Sequence, residues 1–519
     1  MDDNELVGED HRRRALAKLH LELKKEIFRA ERLAAACGIW ELLRLCYLLR
    51  LSRMYAMDPS LQGKLTKARL AELHLSDEAV KYAIGLVAKH GSWASVSVLS
   101  YSNEQYDNDL LEELMRHARH INANFEMDKL LHIANLRVEG ERDQDAVLDM
   151  DLERIDPKRA IYLWYGLRIE CFTSRGKEGF KSIPELVAVV RQEVAGLEEQ
   201  FAETFGLSLD SYCAGWIQLK SMFETKVQAA LDRIDPQNTG HFDVDQVNTF
   251  VAMAGAMYFS DRELDSSLSA SFVKYLRSQS FEPGSLQGDE LRFHYLTRRP
   301  FLIGRGFAVL SSDLCFDSIV DNLRFTLLES SGSKHAYKAA ASAKFLDQVA
   351  ENAKSNGYVE VAREVDLKQG KSEIGDIDLV LFNASTNHTL LVEGKNHALP
   401  LAVYFCSPND IDDHVTTTRD WEKKVKRRIA HLRSETSSYK VSGDWDYIVV
   451  SRMPEPLAHY TDLLVLCIDE FKQWIGQTPM EFQFEEFYRR TYRPDQPNMT
   501  MVEMEGIMEK GYSLLRIET

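Results

Sequence analysis

Apolar residues recur at helical spacing through most of the first 280 residues. One such segment carries Val80 and Ile84 on the same helical face, with Ser76 or Asp77 as the N-cap and Gly91 as the C-terminal stop. Similar patterns predict helices at residues 11–54, 76–90, 104–120, 184–205, 211–234 and 262–279. Strand patterns are sparse, so a mainly α-helical region is predicted over 1–282, with a role in recognition, regulation or assembly.

The pattern changes at the turn-forming segment 282–285, which contains Pro and Gly. Residues 299–310 predict a short hairpin, and residues 317–329 predict a helix. A Ser- and Gly-rich stretch at 330–333 predicts a linker. Together these elements make 283–332 a bridging segment between two larger parts of a multidomain chain.

Short apolar runs of strand length dominate the next part of the chain. The runs predict strands at 358–365, 376–382, 390–395, 446–450 and 463–468. Helical spacing predicts helices at 345–357 and 420–433, and a loop is predicted at 407–415. The order is that of a central mixed sheet flanked by helices. An α/β domain is therefore predicted at 333–480, followed by a C-terminal extension at 481–519.

Two of these strands carry acids and a lysine. Because successive side chains of a strand alternate between faces, Asp376 and Asp378 share one face, and Glu393 and Lys395 share one as well. The intervening segment 383–389 is rich in Asn, Ser and Thr, which suits a turn between antiparallel strands. Pairing the strands would bring Asp378, Glu393 and Lys395 into one polar cluster.

These residue types suit metal-dependent hydrolysis of a phosphodiester. Mg²⁺ prefers oxygen ligands and keeps several waters, so Asp378 and Glu393 are candidate metal ligands together with a phosphate oxygen. The ammonium of Lys395 can orient or activate the attacking water and offset charge that develops in the transition state. The ordinary alternative is a solvated edge strand with a surface ion pair. Against it, Glu393 and Lys395 end a strongly apolar run, where charge is costly unless it lines an opening.

The segments Gly375-x-x-Asp378 and Glu393-Gly394-Lys395 resemble the signature of the PD-(D/E)XK nuclease superfamily, which has the restriction-endonuclease-like fold. The resemblance covers roughly residues 333–475 and includes the order helix, strand, strand, strand. It implies a nuclease that uses Mg²⁺, with Mn²⁺ as a substitute, and DNA as the expected polymer. Restriction, repair and antiviral defence are the settings it implies.

The chain departs from the family at one position. Many members carry a metal-ligating Glu directly after a Phe of the first helix, and this chain has Leu346 there. Asp347 or Glu364 is a candidate substitute, and Asp376 is a further auxiliary candidate. The departure keeps open a noncatalytic nucleic-acid-binding or assembly protein that retains the fold. An RNA-directed nuclease is a third reading, because the same metal chemistry serves RNA.

The helix predicted at 420–433 has one apolar face and one strongly basic face. The basic residues are Lys423, Lys424, Lys426, Arg427, Arg428 and Arg433. Their position beside the acidic cluster predicts contacts with phosphates, which is the usual electrostatic signature of nucleic-acid binding. The alternative is an ordinary solvated helix face.

Composition limits the partners. The net charge of −17 argues against indiscriminate coating of nucleic acid, so DNA contact is expected to be local or delivered by an activating protein partner. Seven scattered cysteines without a Cys-x-x-Cys pair, together with an acidic N-terminus, predict a cytoplasmic protein without a membrane span. The family's habits imply a homodimer or higher oligomer.

Two other motifs offer weaker metal sites. Residues 235–246 imitate a calcium loop, but Gln246 stands where a bidentate Glu is needed, which favours a polar turn. His117 and His120 have the spacing of one helical face, but no clear set of Cys or acidic partners accompanies them. A solvated pair is the favoured interpretation there.

Overall fold

The computed structural model describes residues 3–57, 67–95, 99, 106–133, 135–138, 146–149, 157–175, 182–237, 247–286, 291–292, 295–329, 334–397, 399–435, 437, 439–478 and 480–492. Through residue 329 the chain is mainly helical, as predicted. The helices are α1 Asp3–Ala36, α2 Ile39–Met57, α3 Lys67–His90, α4 Asn108–Ile133, α5 Pro157–Arg175, α6 Ile183–Val194, α7 Glu198–Phe205, α8 Leu209–Ile234, α9 Val247–Met257, α10 Asp261–Ser267, α11 Ala270–Ser278, α12 Tyr295–Arg298 and α13 Ser312–Glu329.

Several helix boundaries differ from the predicted ones. Helix α3 begins at Lys67, so Ser76 and Asp77 lie inside the helix and do not cap it, because the preceding residues are good helix formers. The predicted helix 184–205 is two helices, since Gly196 has a φ of +78°, a left-handed conformation that interrupts the helical path. The segment 11–54 is also divided, near Gly38.

Short strands complete the helical part. Strands β1 Asn135–Val138 and β2 Ala146–Asp149 form an antiparallel pair. Strands β4 Leu302–Ile303 and β5 Phe307–Val309 form the predicted hairpin, and β3 Tyr258–Ser260 pairs with β5. The side chains of Phe301 and Phe307 are fully buried in the helical cores, so this segment packs into the N-terminal part.

The C-terminal part is a mixed five-stranded sheet with helices, which confirms the predicted architecture at this level. Its elements are α14 Lys334–Lys354, β6 Val359–Gln369, β7 Ser372–Asn383, β8 His388–Lys395, α15 Leu401–Tyr404, α16 Pro408–Arg433, β9 Asp444–Ser451, β10 Leu464–Cys467, α17 Ile468–Trp474 and α18 Phe484–Tyr492. The strand order is β10-β9-β8-β7-β6. Strands β6, β7 and β8 are antiparallel neighbours, while β8, β9 and β10 run parallel.

The loop predicted at 407–415 is wrong, because those residues form the beginning of α16. Pro408 occupies the first helical turn, where its missing N–H and fixed φ are tolerated. Ser407 and Asp410 form a hydrogen bond of 2.5 Å at the same end. Polar and Pro-containing residues here begin a helix of 26 residues.

Helix α5 connects the two parts of the structure. Tyr165 and Ile169 pack with Leu399 and Val403 next to the sheet. Beside them, Arg168 forms two hydrogen bonds of 2.8 and 2.9 Å with the carboxylate of Glu470, and both side chains are fully buried. Among the described residues, every helix is too short or too polar to cross a lipid bilayer.

Candidate active site

Strands β7 and β8 place the predicted acids on one face of the sheet. Leu379 pairs with Val392, so Asp378 and Glu393 lie opposite each other one step further along the antiparallel ladder. The backbone N–H of Gly394 donates a hydrogen bond of 2.6 Å to Asp378 Oδ2. The local geometry therefore follows from strand pairing and the alternation of side chains.

Glu393 is the centre of the cluster, and its side chain is only 5% exposed. Lys395 Nζ donates to Glu393 Oε1 at 2.6 Å. The other oxygen, Oε2, accepts hydrogen bonds from Arg428 and, at 3.3 Å, from the hydroxyl of Tyr447. Burial works against the charge of Arg428, but Glu393 and Tyr447 outweigh it and raise the pKa of the guanidinium. Two cations thus neutralise one buried carboxylate.

Around Asp378, negative charge is less fully compensated by nearby cations than it is around Glu393. Burial and the negative charge of Glu393 raise the pKa of Asp378 to about 6, although the Gly394 hydrogen bond and Lys395 oppose the shift. The remaining oxygen of Asp378, Oδ1, has no partner among the described residues. A carboxylate that is desolvated next to a second carboxylate favours a nearby cation. The pair therefore suits a divalent metal ion.

Two auxiliary candidates are held by arginines. Asp376 is about half exposed and accepts a hydrogen bond of 3.3 Å from Arg428. Asp347 is mostly exposed and forms an ion pair of 2.8 Å with Arg363. Asp376 therefore contacts the cluster through Arg428. Asp347 lies on α14, and its ion pair is with a residue of the edge strand β6.

Glu364 occupies an unusual backbone position opposite the cluster. Its neighbours Arg363 and Val365 pair with residues on either side of Asp378, so the register places the backbone of Glu364 opposite Asp378. Its φ is +51°, which is rare for a residue with a side chain. Such strained residues concentrate at functional sites. Of the two substitutes predicted for the helix Glu, Glu364 is the one that the ladder places beside Asp378.

Leu346 lies against the strand that carries the cluster. A Cβ atom added at Gly394 would be 2.7 Å from Leu346 Cδ2 and 3.6 Å from Phe345. Helix α14 thus packs closely on β8, and the residue between Glu393 and Lys395 has to be small. Position 346, where the motif resemblance leads one to expect Glu, presents an apolar side chain.

The basic residues of α16 mostly have partners within the described structure. Lys423 pairs with Asp420, Lys426 with Glu422 and Asp462, Arg427 with the Ile374 carbonyl, Arg428 with Glu393 and Asp376, and Arg433 stacks on Trp445. Lys424 has no partner among the described residues and is exposed. A bound phosphate would therefore pair with Lys424 directly, and for the other basic residues it would have to compete with their partners in the described structure.

The sequence interpretation missed two features of the cluster. The sequence predicts that Arg428 contacts phosphate, but its side chain is nearly buried against Glu393. It predicts only a strand position for Tyr447, yet the hydroxyl of Tyr447 reaches Glu393. Burial, the largest cause, and the negative charge of Glu393 raise the pKa of Tyr447 well above its ordinary value, although Arg428 opposes the shift. The signal that could have found Tyr447 is its place on β9, the parallel neighbour of β8 in the mixed sheet.

The weaker metal motifs have different outcomes. His117 is buried, and its Nδ1 lies 2.5 Å from Glu26 on α1, so the interpretation of a solvated pair is wrong for this residue. The ion pair joins α4 to α1. Of the calcium-like segment, residues 238–246 lie outside the described residues.

Comparisons with models of protein families, with curated proteins and with solved structures found no match to this chain.

Proposed function

We propose that this protein is a metal-dependent nuclease whose C-terminal part has the restriction-endonuclease-like fold. The observation that carries the proposal is the meeting of Asp378, Glu393 and Lys395 at one place on β7 and β8. The order of α14 followed by the antiparallel strands β6, β7 and β8 supports the same fold, since the motif resemblance implies that order. Two acids and a lysine can together bind a metal ion and position water for hydrolysis of a phosphodiester.

Asp378 and Glu393 would hold Mg²⁺, and Mn²⁺ would substitute for it. Oδ1 of Asp378 is free among the described residues, and the raised pKa of Asp378 reflects its burial and the negative charge of Glu393, which a cation would offset. Lys395 would position or activate water beside the scissile phosphate. When bound, the metal supplies Lewis-acid polarisation of the phosphate oxygens. Glu364, opposite Asp378, is the candidate for an additional ligand.

Access to Glu393 requires a change of partners. Lys395, Arg428 and Tyr447 donate hydrogen bonds to its two oxygens. A metal ion therefore has to displace one of these partners, and a substrate phosphate can assist by attracting one of the two cations. Phosphate is a good bidentate partner for a guanidinium, and Arg428 is the obvious recipient. Binding of a nucleic acid would then open the carboxylate to the metal ion.

The same ion pairs favour a second candidate function, a noncatalytic nucleic-acid-binding or assembly protein. Arg428 closes Glu393, and Leu346 replaces the acid that many family members carry. In that case binding of a nucleic acid would be independent of metal and would produce no cleavage.

Cleavage assays distinguish the two functions. Supercoiled, linear and single-stranded DNA and RNA are incubated with Mg²⁺, Mn²⁺ or EDTA, and we expect metal-dependent cutting. Lys395→Ala and Asp378→Ala should each lower the rate by about 100-fold or more, since each removes a group that acts on the reacting phosphate. Circular dichroism verifies that each variant is folded.

A matched control comes from the edge strand of the same sheet. Asp366 and Lys368 form an acid–lysine pair at 3.1 Å on β6. Asp366→Asn and Lys368→Ala should leave the rate within about twofold, because this exposed pair contributes little to stability. Intact binding without cutting by the wild type would support the noncatalytic function. Equal mixtures of labelled DNA and RNA identify the preferred polymer, for which we propose DNA.

A further inference from the structure

A second group of potential metal ligands lies just beyond the end of β8. His397 Nε2 is 2.7 Å from Glu455 Oε1, and His414 Nε2 is 3.0 Å from Glu455 Oε2. All three donor groups lie within 4.8 Å of one another. Among the described residues, this is the group of three or more His, Cys, Asp or Glu side chains that satisfies that distance.

Three separate elements hold these ligands in place. His397 follows β8, His414 lies in α16, and Glu455 precedes a 3₁₀ turn at Pro456–His459. The backbone carbonyl of Glu455 accepts a hydrogen bond of 2.9 Å from Arg168, which anchors the loop. The geometry is therefore fixed by the fold.

The ring of Trp421 borders both imidazoles. Its centroid is 5.1 Å from that of His397 and 6.5 Å from that of His414. The indole is an apolar wall on one side of the donor atoms, and such a wall strengthens the binding of a cation by excluding water.

The carboxylate of Glu455 is deeply buried, with 1% of its side chain exposed. In the described structure the partners of its two oxygens are imidazoles. Both oxygens therefore face the region between the two histidines.

The nitrogen of His397 provides an independent indication. His397 Nε2 is buried and lies 2.7 Å from Glu455 Oε1, but this contact lacks the geometry of a hydrogen bond, and no other described residue satisfies the nitrogen. A buried polar atom without a hydrogen bond is uncommon in a native structure and often marks a site for a water or an ion. This nitrogen and both oxygens of Glu455 converge on the same small region.

We propose that His397, His414 and Glu455 bind a divalent transition metal of the zinc class. Two imidazoles and one carboxylate, with a fourth position left to water, are a common donor set for Zn²⁺. Donor atoms about 2.0 Å from a tetrahedral ion are about 3.3 Å apart, so the separations of 2.7 and 3.0 Å have to widen by about 0.6 and 0.3 Å. Mg²⁺ prefers oxygen donors, which makes this site chemically different from the Asp378 and Glu393 pair.

The proposed metal would also stabilise the neighbourhood of Lys395. His397 lies two residues beyond Lys395, and the ammonium of Lys395 is 5.8 Å from the centroid of the Trp421 ring. A metal that fixes His397 and His414 would therefore fix both the end of β8 and the α16 residue that Lys395 contacts.

Metal titration of the full chain tests the proposal. Protein stripped with a chelator is titrated with Zn²⁺ by calorimetry and with Co²⁺ by visible absorption, which reports nitrogen and oxygen coordination directly. We expect one equivalent per chain and a four-coordinate Co²⁺ spectrum, both retained in Asp378→Asn. His397→Ala, His414→Ala and Glu455→Gln should each weaken Zn²⁺ binding at least 100-fold.

A second histidine–carboxylate pair provides the matched control. His388 Nε2 lies 3.0 Å from Asp446 in the same sheet but has no second imidazole on that carboxylate in the described structure. His388→Ala should retain the stoichiometry and the Co²⁺ spectrum.

Two results would overturn the proposal. One is a wild type that binds no Zn²⁺ at micromolar concentration, and the other is a folded His397→Ala protein that binds as tightly as wild type. His397 is one-third exposed, so this variant should fold even if the more buried substitutions do not.

Discussion

Asp378 carries a charge that its surroundings oppose, and this has a measurable effect on stability. Its pKa is raised from 3.8 to about 6, so the native protein binds the proton more tightly than the unfolded chain does. The resulting stabilisation is fully present below about pH 4 and is lost as the pH rises through 6. The shift corresponds to about 3 kcal/mol.

Urea unfolding with EDTA between pH 4 and 7 measures this loss. Wild type should lose up to about 3 kcal/mol relative to Asp378→Asn over that range, since the variant has no proton to release at this position. Added Mg²⁺ at pH 7 should return part of the difference to the wild type alone. Parallel stability curves for the two proteins would show that Asp378 ionises normally.

Arg428 is expected to be essential for stability because of its partner. Arg428→Met would leave Glu393 buried with Lys395 and Tyr447 but without the guanidinium, and breaking a buried pair costs about 3–5 kcal/mol. Adding Glu393→Gln removes the uncompensated charge and should recover most of the loss. The four proteins of this cycle are compared by urea unfolding at pH 7, and additive effects would contradict the proposed coupling.

Packing of α14 on β8 gives a prediction that concerns elements. Gly394→Ala places a methyl group 2.7 Å from Leu346 Cδ2, which should destabilise the protein by about 1–3 kcal/mol. In a Leu346→Ala background the same substitution should cost much less, because the obstructing carbon atoms are absent. Thermal unfolding of the cycle measures the coupling, and an equal cost in both backgrounds would place the strain elsewhere.

Alternation along β7 and β8 was sufficient to predict that Asp378, Glu393 and Lys395 meet. Such contacts depend on strand register, which a turn of four residues and two apolar runs determine locally. The contacts of Arg428 and Tyr447 with Glu393 depend on how α16 and β9, which are distant in sequence, pack against these two strands. The periodicity of a sequence shows which residues share a helical face, but it does not show how the helix is rotated about its axis when it packs on the sheet.

Helix boundaries show the same division between local and long-range information. The apolar spacing and Gly91 predict the end of α3 at His90 correctly. Ser76 is a plausible capping residue, so the sequence does not indicate that the helix already begins at Lys67. The beginning of α16 at Pro408 was read as a loop because Pro and Asp favour both loops and first helical turns. His397, His414 and Glu455 are far apart in sequence, so their convergence was not predictable from spacing.

At the scale of the whole molecule, the buried pair Arg168 and Glu470 joins the helical part to the sheet. Arg168→Met should destabilise the protein by about 3–5 kcal/mol, since it leaves Glu470 fully buried without its main cation. The guanidinium also lies 4.6 Å from the ring of Phe484, so α18 should loosen as well. Limited proteolysis should then cut the variant near α18 before wild type.

An exposed arginine–acid pair provides the control for that experiment. Arg191 and Asp210 form an ion pair of 2.7 Å on the surface of the helical part. Arg191→Met should change stability by less than about 1 kcal/mol. A similar small effect of Arg168→Met would show that α5 is dispensable for holding the sheet.

The position of α5 also has a consequence for the order in which a ribosome delivers the chain. Arg168 and Glu470 are 302 residues apart, so at about 5–20 residues per second the helix waits roughly 15–60 s before its partner is synthesised. The face of α5 with Tyr165 and Ile169 waits as well, because the residues that cover it lie at 399–457. A nascent chain paused before residue 399 would therefore offer this face to chaperones, and synthesis of residues 399–457 would cover it.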